Sequence, residues 1–499
     1  MRFPPFADLD QDQRRVYADA PTDGAMLVTG PPGTGKTIIA MHRALRLAQN
    51  DDRQVTVIMF NKVLARYTSN FENPHNIKVI HMHGWAPNWY KTAFGRPIPT
   101  IDKYRTPDWQ MIKTIIRNCR EQSILKKLSW GHLIIDEGQD FDSQMYSALM
   151  AVVRHKSLEG DDQPTLTVFA DENQTITDKN STIVELIEEL NTDMDTQRLW
   201  RLDKNYRNST EIAKFSRHFQ VRNSSHVALP ERETARLPVV FIRVDEPYDQ
   251  IIDFTANQGS LEVGVVVFGS SADVRRTYKE LNKKIQQKRV KCRIQGYVSR
   301  DPDGILDDHT KLQFDSPPSI TVVHQKSSKG LEFDAVFLIN VNALRTRDGD
   351  ELDSFKELYV AASRARDYLF SIIRGELEQS FFPDSMRLLP DPTEGLCTYL
   401  DRDGQSLDED ALLLRVNWLD TAYHHQRQEL MQEGLVSRLR EIDVNELTKV
   451  LDELARKSFA YQGTATIIED RVRAGTQEGL LDLVIELGPI QVKRALNLE

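Results

Sequence analysis

The sequence predicts an α/β protein whose core is a doubly wound parallel sheet flanked by helices. Two observations carry that reading. The first is a strand–loop–helix unit near the N-terminus. Met26-Leu27-Val28-Thr29 reads as a buried strand, Gly30-Pro31-Pro32-Gly33-Thr34-Gly35-Lys36-Thr37 fits G-x-x-x-x-G-K-[ST], and Ile38 to Leu45 reads as a helix. The second is alternation. Apolar runs at 26–29, 55–60, 77–81, 132–135 and 165–170 are separated by helical stretches. Such a sheet binds ligands at the carboxyl ends of its strands.

The loop explains its own chemistry. Gly30, Gly33 and Gly35 let backbone N–H groups come close to phosphate, with Pro31 and Thr34 shaping the turn between them. The helix that follows offers the positive end of its dipole. Lys36 reaches the β- and γ-phosphates, and Thr37 suits Mg²⁺. The sequence therefore calls for ATP and Mg²⁺ as cofactors.

Composition sets bounds. Hydrophobic residues at 40% and charged residues at 28% describe an ordinary globular chain, long enough for about three domains. No run of ~18 apolar residues is present, so no membrane partner is expected. The first residues, Met1-Arg2-Phe3-Pro4-Pro5-Phe6, lack an apolar signal core. Cys119, Cys292 and Cys397 stand far apart without metal-ligand spacing, which fits a reducing, cytoplasmic setting. A net charge of −10 argues against a surface coated for nucleic acid, but leaves room for a local basic groove.

Further boxes follow the loop in order. His132-Leu133-Ile134-Ile135 runs into Asp136-Glu137-Gly138-Gln139-Asp140, an apolar strand ending in paired carboxylates. Asp136 would hold Mg²⁺ and Glu137 would polarise an attacking water. Leu9-Asp10-Gln11-Asp12-Gln13 precedes the loop. Phe60-Asn61-Lys62, His81-Met82-His83, Asp171-Glu172-Asn173-Gln174, Asn205-Tyr206-Arg207-Asn208-Ser209, Ser328-Lys329-Gly330-Leu331-Glu332-Phe333-Asp334 and Tyr359-Val360-Ala361-Ala362-Ser363-Arg364-Ala365 follow it.

Together these boxes resemble superfamily 1 helicases of the UvrD/Rep type, over residues 8–370. The resemblance implies two RecA-like domains with ATP between them. It makes Gln13 the adenine contact and places Glu332 in the nucleotide site. It makes Gln174 the coupler of γ-phosphate to DNA. Arg207 and Arg364 become arginines that face the γ-phosphate from the second domain. The plainer alternative for those two is surface ion pairing. Asn61, Lys62 and His83 fall in boxes that touch DNA in the family. An arginine supplied across a cleft is worth ~10³–10⁵ in rate and makes turnover depend on closure.

The implied layout is a first RecA-like domain at 1–200 with a small insert at 67–130, a second at 201–375, and a C-terminal helical extension at 376–499. The second domain's strands are read at 263–268, 320–323, 335–339 and 369–373. Leu358 to Arg366 is read as a helix carrying Arg364.

Three departures from the family pattern stand out. The large insert before the Ser328 box is missing, since only a short stretch separates Ser270 from Ile320. No aromatic follows Gln174, so base stacking, worth ~1–3 kcal/mol per base, must come from elsewhere. The candidates are Trp85, Trp89, Tyr90 and Phe94 beside Lys91 and Arg96. The alternative is a small satellite core beneath a long loop. Finally, Lys326 stands where the family has histidine, with His324 displaced. Lys326 and Lys329 are then candidate contacts to the phosphate backbone, or a solvated lysine pair.

The C-terminal extension falls outside the boxes. Leu407 to Arg440 reads as mostly helical and Asp443 to Lys457 as an amphipathic helix, while His424-His425 form no metal pair. Leu483 to Lys493 reads as a hairpin. Its Asp482, Gln491 and Lys493, with Glu469 upstream, loosely resemble a nuclease Asp…Gln-x-Lys site; a docking hairpin is the alternative.

Two functional readings remain. One is an ATP-dependent motor, a translocase or 3′→5′ helicase, on single-stranded DNA or a single-stranded tail, with RNA still open. The other is a nucleotide-switched sensor that loads or activates a partner nuclease and scarcely unwinds.

Overall fold

The computed structural model describes residues 6–50, 52–59, 77–103, 105–158, 160–171, 181–192, 197–220, 229–230, 232–234, 236–242, 247–299, 301–302, 304–344, 351–374, 384–401, 403–408, 435–457 and 465–475, with single or paired positions at 412, 416, 480, 483–484, 487, 492–493 and 495–496. Asn61, Lys62, Gln174, His424, His425, Asp482 and Gln491 lie outside the described residues.

Two parallel sheets organise the chain. The first holds β1 (Ala25–Thr29), β2 (Val55–Met59), β3 (Lys78–His81), β4 (His132–Ile135), β5 (Thr165–Ala170) and β6 (Leu199–Arg201) in the order β3-β2-β4-β5-β1-β6. The second holds β7 (Val239–Ile242), β8 (Glu262–Val267), β9 (Arg293–Tyr297), β10 (Ser319–His324), β11 (Phe333–Ile339), β12 (Ala365–Ile373) and β13 (Thr398–Leu400) in the order β13-β7-β12-β11-β8-β10-β9. Every strand pairing in both sheets is parallel. Both are covered by helices on each face, the α/β architecture that two RecA-like domains require.

The side-chain period of two divides each strand between two cores. Met26 and Val28 of β1 face one cluster, while Ala25 and Leu27 face another. In β8, Val266 faces the first of these, and Val263, Val265 and Val267 face a third. The first cluster is shared. It runs from Val28 and Phe169 through Phe215 and Phe219 to Val266 and Val336, so one continuous apolar core joins the two sheets.

Four expectations are corrected here. β3 lies within the 67–130 stretch read as an insert, yet it is the edge strand of the first sheet. The helices Met82–Phe94, Trp109–Asn118 and Gln122–Leu128 pack back against that sheet through Trp85, Tyr90, Ile112 and Leu125. β13 joins the second sheet beyond residue 375, because Thr398–Leu400 pairs with Val239–Phe241 of β7. The helix read at 358–366 spans Glu351–Ala362 and stops before Arg364. There the chain turns, Phe333 N–H donating to Arg364 O at 3.0 Å, and Ala365 opens β12.

The fourth correction concerns the tail. Leu483, Val484, Leu487, Val492 and Lys493 are helical, not a hairpin. Their apolar side chains join Leu435, Leu439, Leu447, Leu451, Ile468 and Val472 in a separate core. Helix Val444–Lys457 agrees with the amphipathic spacing. Lys493 therefore sits on a helix rather than on a nuclease-type strand.

Candidate functional site

The phosphate loop leaves β1 and enters helix Lys36–Asn50. Gly33 and Gly35 take φ of +82° and +83°, which only glycine adopts at little cost. Space gives a second reason. A Cβ on Gly33 would fall 2.2 Å from Asn205 Oδ1, and one on Gly35 would fall 2.7 Å from Gln13 Nε2. Gln13 is buried and donates from Nε2 to Thr34 O at 2.9 Å, while Asp10 caps its helix. Gln13 thus braces the loop.

Lys36 is folded inward. Its Nζ donates to Gly30 O at 2.6 Å and Pro31 O at 2.9 Å, and pairs with Asp171 Oδ2 at 3.3 Å. Asp171 directly follows β5, so the first carboxylate of its box anchors the loop lysine. Gln139 ties the same strand end to the acidic box. Its Oε1 accepts from Asp171 N–H at 2.9 Å and its Nε2 donates to Glu137 Oε2 at 2.6 Å.

Asp136 and Thr37 meet as the motif requires. Thr37 Oγ1 donates to Asp136 Oδ2 at 2.6 Å. Asp136 Oδ1 is buried and has no hydrogen-bond partner among the described residues. A hydroxyl beside an orphaned carboxylate oxygen at the foot of a phosphate loop fits Mg²⁺, a hard cation that prefers oxygen ligands. Burial, helped by the adjacent Glu137 charge, raises the Asp136 carboxyl to about 7.

Glu137 sits in the left-handed region at φ +53°. Burial pushes its carboxyl up, but the charges of Lys329, Lys36 and Arg364 and the Gln139 hydrogen bond outweigh it, and the net shift is downward. The group is held ionised, as a base for water must be.

The second sheet supplies the opposite wall. Arg207 donates from Nε to Glu332 Oε1 at 2.8 Å and lies 2.6 Å from it through a terminal nitrogen. Burial and Arg207 lower the Arg364 guanidinium to about 10, while Glu137, Glu332 and Asp171 act the other way. Arg364 is fully buried, with Nε on Val360 O at 2.8 Å. Asn208 Nδ2 donates to Ser363 O at 3.2 Å and Ala365 O at 2.5 Å, fastening the Arg207 box to the Arg364 turn. Surface ion pairing, the plainer alternative for both arginines, does not describe them.

Two expected DNA contacts are overturned. Lys329 is buried and pairs with Asp140 Oδ1 at 2.6 Å, so it bridges the two sheets instead of meeting phosphate. Trp89 is only 6% exposed. Its ring stacks on Trp85 at 5.1 Å and its Nε1 donates to Leu128 O at 2.9 Å. Its amphipathic neighbours mimic a groove in sequence, but Trp130 completes an indole cluster from outside the stretch. Neither a groove nor a small satellite core beneath a loop describes the stretch: Trp85, Trp89 and Tyr90 lie on a helix and join the main core of the first sheet with Leu27, Leu133 and Leu166. His83 and Lys326 are exposed.

Sequence reasoning gave no role to Gln139, Asp140 or Tyr206. Tyr206 follows the braced Asn205, donates its N–H to Gly33 O at 2.8 Å, and leaves its ring 46% exposed beside the loop. Its place in an aromatic-bearing box next to Arg207 was the available signal.

A family model described as an AAA domain matches residues 13–180, and one described as a UvrD-like helicase C-terminal domain matches residues 320–371. They fall on the two sheets in the order the boxes require. The matches support the resemblance to UvrD-like superfamily 1 helicases that the boxes imply. No curated protein matches this chain. Among solved structures, the C-terminal domain of a possible DNA helicase from Lactobacillus plantarum is 21% identical, covering 39% of this chain and 97% of that one, with a TM-score of 0.26. The DUF1998 helicase MrfA bound to DNA is 13% identical, covering 84% of this chain and 54% of that one, with a TM-score of 0.42. The chain thus spans about half the length of MrfA. No helix among its described residues is long and apolar enough to cross a membrane.

Proposed function

We propose that this chain is a UvrD-like superfamily 1 helicase, a cytoplasmic ATP-dependent motor on DNA, either a translocase or a 3′→5′ helicase, that engages single-stranded DNA or a single-stranded tail. The observation that carries the proposal is convergence. Lys329 pairs with Asp140 and stands near Glu137, Arg364 feels the charges of Glu137 and Asp171, and the Arg207–Glu332 pair lies beside Arg364, so the second sheet closes on the acidic end of the first, where Lys36 is held by Asp171.

The protein's own groups define the cycle. Lys36 exchanges loop carbonyls and Asp171 for the β- and γ-phosphates. Gln13 holds Thr34 and is proposed to meet adenine, with the half-exposed Tyr206 ring beside the loop proposed to stack on the base. Thr37 and Asp136 would hold Mg²⁺, which would supply positive charge to stabilise the charge that develops on the phosphates. Glu137 accepts a proton from the attacking water. Arg207 leaves Glu332 for the γ-phosphate, and Arg364 adds a second charge from the same wall. Chemistry then requires both sheets, so turnover changes the cleft and moves the domains. Gln174 is proposed to couple phosphate to DNA. Asn61, Lys62, His83 and Lys326 are proposed to touch the strand.

The test is ATP hydrolysis with and without single-stranded DNA, run beside Lys36→Ala. Stimulation in the native chain and loss in the variant are expected. Turnover in Lys36→Ala above about a tenth of native would sink the phosphate-loop assignment, since the lysine's charge is its main contribution. A strand-displacement assay then separates a helicase from a translocase or from a sensor that loads a nuclease.

A further inference from the structure

In a chain of net charge −10, residues 275–293 carry nine lysines and arginines against one acidic residue, Glu280. Most of this stretch is helix Ser271–Lys288, capped by Ser270 and packed on the second sheet. Its inward cations are neutralised. Lys284 and Lys288 pair with Asp249, Lys288 also pairs with Asp253, and Arg275 pairs with Asp301. Lys279, Lys283, Arg289, Lys291 and Arg293 are different. All five are exposed, and none has an ion pair among the described residues.

Placement turns these charges into a track. Lys279 and Lys283 are four residues apart and share a helix face. Arg289, Lys291 and Arg293 continue into β9, the edge strand of the sheet. The track begins at the mouth of the site. His324, at the end of β10, donates from Nε2 to Gly269 O at 2.8 Å, just before the helix cap, and exposed Lys326 follows His324. The helix then leads away from the cleft for about 27 Å at 1.5 Å per residue.

The chemistry selects the partner. Unpaired like charges held close repel one another, and a polyanion relieves that cost by releasing its counterions. The face is a convex rod with no fully exposed aromatic, so it lacks the stacking platforms that grip single strands. Duplex DNA carries one charge per about 1.7 Å and needs no stacking. We infer that the basic face of helix Ser271–Lys288, continued by Lys291 and Arg293, docks the phosphate backbone of double-stranded DNA beside the motor cleft.

The full-length chain with Lys279→Glu, Lys283→Glu, Lys291→Glu and Arg293→Glu tests this by fluorescence anisotropy on a blunt duplex and on a single strand of equal length. The variant should lose at least about ten-fold in duplex affinity at low salt, and its salt dependence should become shallower by ~0.9 for each phosphate it no longer neutralises. Single-strand affinity and single-strand-stimulated hydrolysis should match native. Unchanged duplex binding overturns the inference. So does an equal loss on single strands, or a native chain that binds no duplex at low salt, which would leave a solvated face or an acidic protein partner. If the melting temperature falls, Lys279→Gln with Lys283→Gln should show the same selectivity more weakly. The motor reading fails separately, by absent stimulation in the native chain.

Discussion

Lys329 Nζ lies 2.6 Å from Asp140 Oδ1, so a lysine of the second sheet holds the acidic box of the first. Both side chains are nearly sealed, at 5% and 3% exposure. Lys329 also stands 3.8 Å from Glu137, the carboxylate expected to activate water. One ammonium therefore links domain contact to the chemistry.

Lys329→Met should cost about 3–5 kcal/mol, the cost of leaving a buried charge unpaired. The sign of its pH dependence follows from Asp140, whose carboxyl burial raises to about 6 even with Lys329 present. Without the ammonium it rises further. A carboxyl with a raised folded pKa stabilises at low pH and loses that contribution as pH climbs. The defect should be small at pH near 5 and grow toward pH about 8. Denaturant melts across that range check it, and adding Asp140→Asn should recover much of the loss.

Glu137→Gln should bind ATP normally and stop hydrolysis. The amide keeps the shape and the Gln139 contact but cannot take a proton from water. Nucleotide binding and single-turnover hydrolysis measured together check this; lost affinity would make Glu137 structural.

Arg207→Ala and Arg364→Ala should each lower kcat by ~10³ or more while ATP affinity stays within a few-fold, because their contacts strengthen at the transition state. Wild-type turnover in either variant would remove that arginine from the site.

Trp89→Ala should lower the melting temperature and leave DNA affinity alone. The ring is stacked on Trp85 and hydrogen-bonded to Leu128 O, so truncation costs the ~3–5 kcal/mol of a core tryptophan. Melting and DNA binding on one preparation decide it. Weakened DNA binding at an unchanged melting temperature would return Trp89 to the DNA groove.

The sequence by itself determined the phosphate loop and the acidic strand end beside it. A phosphate loop works through neighbours in the chain, so Gly30 to Thr37 carry their geometry locally, and strand alternation around them dictates a parallel sheet. Asp136 and Glu137 were legible because they follow an apolar strand that must end where the loop does. Tertiary structure alone decided what each charged or aromatic side chain faces. Lys329 meets Asp140, and Arg207 meets Glu332, through contacts between boxes far apart in the chain. Trp89 reads as a groove residue until Trp130 and Leu128 close over it. The tail's apolar residues suit a hairpin until Leu447 and Val472 give a helix something to pack against. Burial belongs to the packed fold: a side chain's partners are chosen by which distant elements the core brings within reach.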